Sequence, residues 1–175
     1  CGNGVEKDIK RAMEWFQKAA EQGDAMAQSS LAILYENGDG VEKDMKKAFE
    51  WYAKAAEQGN PVAQYNLASF YESGEGVEKN LTTAFELYLA AAEQGDEDAQ
   101  YNLAHCYENG IGCTVDMDKA MKIYKDIVDL DGNCKPDALA DLERLRNDAA
   151  DGDKINSKKR SMETVIDKQQ TKKQK

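Results

Sequence analysis

One histidine, four cysteines and 33 carboxylates are the side chains of this chain with the richest chemistry. His105 stands beside Cys106, with Cys113 and Cys134 further along. Imidazole and thiolate are zinc ligands, so the grouping invites a metal reading. The separations, 1, 7 and then 21 residues, fit none of the short paired spacings of zinc sites, and no metal is expected. Nucleophilic catalysis needs a nucleophile, a base and a group that orients the base. A single histidine supports no such triad, and the carboxylates recur at a fixed interval, as scaffold and surface residues do. No catalytic residue and no cofactor is expected, and the chain reads as a non-enzyme. What remains is recognition chemistry: Tyr65 and Tyr101 as aromatic anchors, and Glu36, Glu72 and Glu108 as an acidic ladder.

The interval that spaces these residues is 36. Gly4-Val5-Glu6-Lys7-Asp8 returns at 40–44, again as Gly76-Val77-Glu78-Lys79-Asn80, and in degraded form from Gly112 to Asp116. Ala12, Ala48, Ala84 and Ala120 keep the register, as do Phe16, Tyr52, Tyr88 and Tyr124, and residues 23–58 and 59–94 are identical at 20 of 36 positions. A fixed period of this length marks a repeat array, in which each unit buries its apolar face against its neighbours.

Two helices are predicted in each period. One opens at an Asp or Asn cap (Asp8, Asp44, Asn80, Asp116) and carries apolar residues at steps of three and four, as in Ala12, Trp15, Phe16, Ala19 and Ala20. Gly23, Gly59 and Gly95 end it. The other starts from Asp24, Asn60 or Asp96, with Pro61 at the first-turn position that tolerates proline. Its apolar stripe is Ala27, Leu31, Leu34 and Tyr35, then Ala63, Leu67, Phe70 and Tyr71, then Ala99, Leu103, Cys106 and Tyr107. Paired glycines at 38/40, 74/76 and 110/112 punctuate the return loop. No segment alternates with the period of a strand, so the expected fold is all-α. The alanine pairs 19–20, 55–56 and 91–92 let helices approach closely, and Cys106 and Cys113 stand where other copies have Leu, Phe or Val, as small core residues.

The boundaries follow from where this pattern fades. Residues 1–133 form the array, opening in the middle of a repeat, so that the sequence is expected to be a piece of a longer chain. Residues 134–150 read as a C-terminal capping helix built on Leu139, Leu142 and Leu145, because a terminal repeat must turn one face to water. Residues 151–175 are polar and are expected to be disordered. The net charge of −10 is uneven: the tail carries +4, leaving about −14 on residues 1–150. Such a body repels nucleic-acid phosphates and favours basic proteins or peptides. No run of 18 or more apolar residues offers a membrane span. The cysteines do not follow the repeat, which points to reduced thiols and a cytoplasmic compartment. Basic clusters at Lys158-Lys159-Arg160 and Lys172-Lys173-Gln174-Lys175 allow a nuclear location.

The pattern Ala63-x3-Leu67-x3-Tyr71-x2-Gly74-x-Gly76-Val77, followed by Asp or Asn at 44/80, Ala48, Trp51-Tyr52, Lys54-Ala55-Ala56 and Gly59, resembles the Sel-1-like repeat, a relative of the tetratricopeptide repeat. The resemblance implies a right-handed α-solenoid (superhelix) of antiparallel helix pairs serving as an adaptor or scaffold. It places on the concave face a stripe of Met26, Ser29, Ile33 and Glu36, then Val62, Tyr65, Ser69 and Glu72, then Asp98, Tyr101, His105 and Glu108. A peptide or protein segment bound there is the leading functional reading. The alternative is a structural spacer within a larger protein, with the tyrosines bracing the scaffold.

Overall fold

The computed structural model describes the backbone of residues 3–129 and 136–149, with side chains from residue 11 onward. Seven helices follow one another: α1 (Asn3–Glu21), α2 (Ala25–Asn37), α3 (Met45–Glu57), α4 (Pro61–Ser73), α5 (Leu81–Glu93), α6 (Glu97–Asn109) and α7 (Met117–Asp129). An eighth, α8, runs over 136–149, and no strand occurs among the described residues. The chain divides into two compact units, Cys1–Ile123 and Tyr124–Lys175, so the division falls within α7.

The first unit is an all-α stack of helix pairs, the architecture of an α-solenoid. Two helix types alternate. The A-type helices α2, α4 and α6 begin at Asp24, Asn60 and Asp96, whose side chains accept from the backbone N–H groups of Ala27, Ala63 and Ala99. They end on left-handed glycines at 38, 74 and 110. The B-type helices α3 and α5 are capped by Asp44 and Asn80, and Asp116 accepts from Lys119 N in the same way. The return loop is pinned by Asp44 N to Tyr35 O, Asn80 N to Tyr71 O and Asp116 N to Tyr107 O, at 2.8–2.9 Å.

Asp8 departs from this pattern: it lies inside α1 rather than at its start. Residues 3–7 are helical, whereas the residues matching them before Asp44 and Asn80 are return loop, so the helix has already begun when the chain reaches Asp8. The apolar face expected on α1 is also largely uncovered. Trp15 is 72% and Phe16 37% exposed, whereas their counterparts Trp51 and Tyr52 are half-buried and buried. Tyr52 meets Glu36 of α2 and Phe70 of α4.

The core is a seam of small residues around buried tyrosines. Ala48, Ala55 and Ala63 are wholly buried around Tyr52; Ala84, Ala91 and Ala99 play that part around Tyr88. The volumes around the two tyrosines compensate. Tyr52 meets Phe70 at a centroid distance of 6.0 Å, with the small Ser29 at the position above. Tyr88 instead meets the Tyr65 ring at 5.9 Å, and the smaller Cys106 replaces Phe70. A bulky partner enters from one A-type helix or the other, not both, as close packing requires. Cys106 is buried and Cys113 packs against the same cluster, both as free thiols.

In the second unit Tyr124, Ile127, Ala138, Leu142 and Leu145 are buried, while Leu139 is 38% exposed. The expected disordered tail, 151–175, lies outside the described residues, as do Cys1 and Cys134.

Candidate protein-binding surface

The A-type helices position the candidate stripe, and their local sequence explains how. Each is a 13-residue helix whose small and leucine positions (Ala27, Leu31 and Ala32 in α2) are buried. Met26 is 75% exposed and Val62 43%; Asp98, at the same position of α6, is exposed as well. Ile33, Ser69 and His105 form the third row of the stripe, half-buried in the first two cases and exposed in the third. Glu36, Glu72 and Glu108 are half-buried, as are Tyr65 and Tyr101.

Ser29 differs from its row. It is 4% exposed, and among the described residues its hydroxyl has no hydrogen-bond partner. The stripe expected wholly outside the core therefore dips into it at Ser29, since a side chain this short stays below the surface that Tyr65 and Tyr101 reach.

Two glutamates are built into the scaffold as well as facing outward. The Tyr52 hydroxyl donates to Glu36 Oε2 and the Tyr88 hydroxyl to Glu72 Oε2, each at 2.7 Å. Ser69 Oγ lies 3.2 Å from the Tyr88 oxygen and, with the tyrosine proton committed to Glu72, acts as donor there. Burial, reinforced by the neighbouring carboxylate, holds both phenols well above their ordinary pKa, so they remain donors. The carboxylates are thus fixed in place by neutral, buried donors, and their charge is not cancelled.

The uneven placement of lysines and arginines among the helices is the feature that single-residue reading passed over. α2, α4 and α6 contain no lysine or arginine at all, yet hold Glu36, Glu72, Glu97, Asp98 and Glu108. Every lysine and arginine within α1–α7 lies on α1, α3 or α7, several of them over aromatic rings, while α5 has none and carries Glu86 and Glu93. Lys54 Nζ sits 4.0 Å from the Trp51 ring centroid, Lys119 4.8 Å from Tyr107 and Lys47 5.1 Å from Tyr35. Comparing lysine positions helix by helix, rather than repeat by repeat, reveals this in the sequence.

A second unforeseen feature is a glutamine relay. Gln58 Nε2 donates to Gln28 Oε1 at 2.7 Å and Gln94 Nε2 to Gln64 Oε1 at 2.8 Å. Gln28 and Gln64 donate in turn to the carbonyls of Ala20 and Ala56, which belong to the last turn of the preceding B-type helix. The relay ties α2 and α4 each to the B-type helices on both sides. Its signal was the recurrence of Ala-Gln at 27–28, 63–64 and 99–100 with Glu-Gln at 57–58 and 93–94.

His105 and Cys106 are chain neighbours in opposite surroundings, one exposed and the other 1% exposed. Burial pushes the Cys106 thiol up to about 12, so it is neutral at physiological pH. Among the described residues no three His, Cys, Asp or Glu side chains gather as a metal site would require, and no helix is long and apolar enough to cross a membrane.

The helix pairs, their glycine-ended A-type members and the 36-residue period define a repeat scaffold. The sequence profile of the Sel1 repeat matches residues 1–24, 25–60, 61–96 and 97–125, and the chain belongs to the Sel1 repeat family. A Sel1 repeat protein from Oxalobacter formigenes is 37% identical, with a TM-score of 0.68 over 77% of this chain and 98% of that one. The protective antigen c5321 of uropathogenic Escherichia coli, which displays the same fold, is 33% identical with a TM-score of 0.65, over 83% of this chain and 35% of its own length. Cysteine rich protein B of Helicobacter pylori is 25% identical with a TM-score of 0.60, covering 81% of this chain and all of that one. Among curated proteins none matches. Sel1 repeat proteins are generally scaffolds of protein interaction.

Proposed function

We propose that this array binds a cationic peptide or protein segment along the stripes of α2, α4 and α6, the side that the resemblance makes concave. The observation that carries this reading is the absence of any lysine or arginine from these helices, against five carboxylates. A surface with one sign of charge steers oppositely charged partners and rejects like-charged ones. Glu36 and Glu72 are held by buried tyrosines, so little side-chain entropy is lost when a lysine or arginine meets them. Catalysis has no place in this reading, since the polar groups of the surface serve the scaffold and recognition.

The competing reading is an architectural spacer. Its support is the commitment of Tyr65, Glu36 and Glu72 to contacts within the scaffold. Selection from a random peptide display library separates the two. Binding predicts enrichment of lysine- and arginine-rich peptides whose capture is lost with Glu97→Lys/Asp98→Lys and weakens with salt. Enrichment of neutral or acidic peptides, or capture indifferent to those substitutions, favours the spacer.

A further inference from the structure

The three A-type helices do not present the same chemistry. At the outermost position of the stripe the chain carries Met26, then Val62, then Asp98. The first two are among the most exposed large apolar side chains of the protein, at 75% and 43%. Neither α2 nor α4 has an acidic residue in its first turn, whereas α6 has Glu97 and Asp98 there, both exposed. Past the row of Ser29, Tyr65 and Tyr101, apolar Ile33 gives way to Ser69 and then to exposed His105. Only the outer glutamate is constant, at 36, 72 and 108. The stripe is therefore apolar at the α2 end, acidic at the α6 end, and edged throughout by carboxylates.

The buried hydroxyl of Ser29 belongs to the same end. It is the buried side-chain polar atom without a partner among the described residues, and it lies on the stripe between Met26 and Ile33. Ligand chemistry at this end is thus aliphatic contact with Met26, Ile33 and Val62, with Ser29 closed off beneath them. At the other end, paired carboxylates on the first turn of α6 select ammonium or guanidinium groups.

Resting on the peptide-binding reading above, we infer that the ligand is a composite segment bound in one orientation, with an aliphatic block on α2 and α4 and a lysine/arginine block on α6. Uniformly basic segments satisfy only the α6 end and the glutamate edge, and bind more weakly. The gradient gives the array a reading direction that a uniform acidic surface lacks, and specificity then comes from rejecting peptides whose charges fall on the apolar end.

The test uses two synthetic fluorescent peptides of equal length, one half leucine-rich and half lysine-rich, the other lysine-rich throughout. Anisotropy titrations at low salt compare the unmodified chain with Met26→Gln/Val62→Gln and with Glu97→Gln/Asp98→Asn, all checked for unchanged helical content. The apolar-end pair is expected to weaken the composite peptide about tenfold and leave the uniform one unchanged. The acidic-end pair should weaken both. A benzophenone on the leucine half should crosslink near Met26 or Val62. If the apolar-end pair leaves the composite peptide unaffected, weakens both alike, or the benzophenone labels α6, the orientation is refuted while peptide binding stands. If neither peptide binds, the peptide-binding reading itself falls.

Discussion

Ser29→Ala should make this protein more stable, an unusual direction for a buried substitution. The side chain is 4% exposed and its hydroxyl has no partner among the described residues. A buried hydroxyl left without a hydrogen bond costs about 1–3 kcal/mol of desolvation. Position 29 lies inside α2, where alanine is the better helix former by about 0.5 kcal/mol. Against these gains stands the lost packing of one oxygen atom, a few tenths of a kcal/mol at about 24 cal/mol per Å³. The balance favours the variant by about 1–2 kcal/mol, or a rise in Tm of about 2–4 °C per kcal/mol for a chain of this size. Equilibrium urea unfolding followed by far-UV circular dichroism reads this as a shifted midpoint at constant slope. Ser69→Ala is the matched control, since that hydroxyl bonds to Tyr88 at 3.2 Å and its loss should destabilise by about 1 kcal/mol. If Ser29→Ala proves less stable than the parent, the hydroxyl is satisfied and the accounting is wrong.

The remaining predictions concern the joints between repeats. Gln64→Ala should destabilise by about 1 kcal/mol, because it removes the bonds to the Gln94 amide and the Ala56 carbonyl, which keep their bonds to Ala90 O and from Gly59 N; denaturant unfolding measures it, and a change below the error of the fit contradicts the relay. Gly112→Ala should cost far more than Gly59→Ala, although both glycines have positive φ: a Cβ at 112 meets the Leu81 carbonyl oxygen at 2.0 Å, while at 59 nothing lies within 4 Å. Comparable losses in the two variants would show that backbone conformation alone decides. Cys106 should resist alkylation in the folded state while Cys113 labels faster, as peptide mapping by mass spectrometry would reveal. Because the folded-state pKa of Cys106 is raised from 9.0 to about 12, its contribution is complete below pH 9 and lost as pH rises towards 12. An unfolding midpoint that improved over that range in the parent, relative to Cys106→Ala, would contradict the burial.

Most of the fold was legible because the chain repeats itself. The caps at Asp44, Asn60 and Asn80, the glycine stops and the proline at 61 each have a local chemical signature, and the structure realises them. The failures are where a residue's fate depends on a neighbour in space. Asp8 matches the caps letter for letter, yet lies within α1, since the residues ahead of it are helical rather than looped. Phe16 matches Tyr52 but stays exposed, because what buries Tyr52 is α2 and α4 rather than anything on α3. The surface was only partly legible for a related reason. Tyr65 and Glu72 read as ligand contacts, and the structure shows both meeting Tyr88, which lies 23 and 16 residues further along the chain. A periodic pattern reveals which positions are equivalent; which side chain reaches a neighbouring helix depends on volumes such as those of Ser29 and Phe70, or Tyr65 and Cys106.

Backbone amide chemical-shift mapping with a lysine/arginine-rich peptide tests the central claim most directly. Titration at low salt should move resonances on α2, α4 and α6, centred on Glu97 and Asp98 and on the row of Glu36, Glu72 and Glu108, and leave the solvent faces of α3 and α5 unmoved. Shifts confined to the B-type helices, or none at ligand excess, would contradict the account and leave the array a spacer.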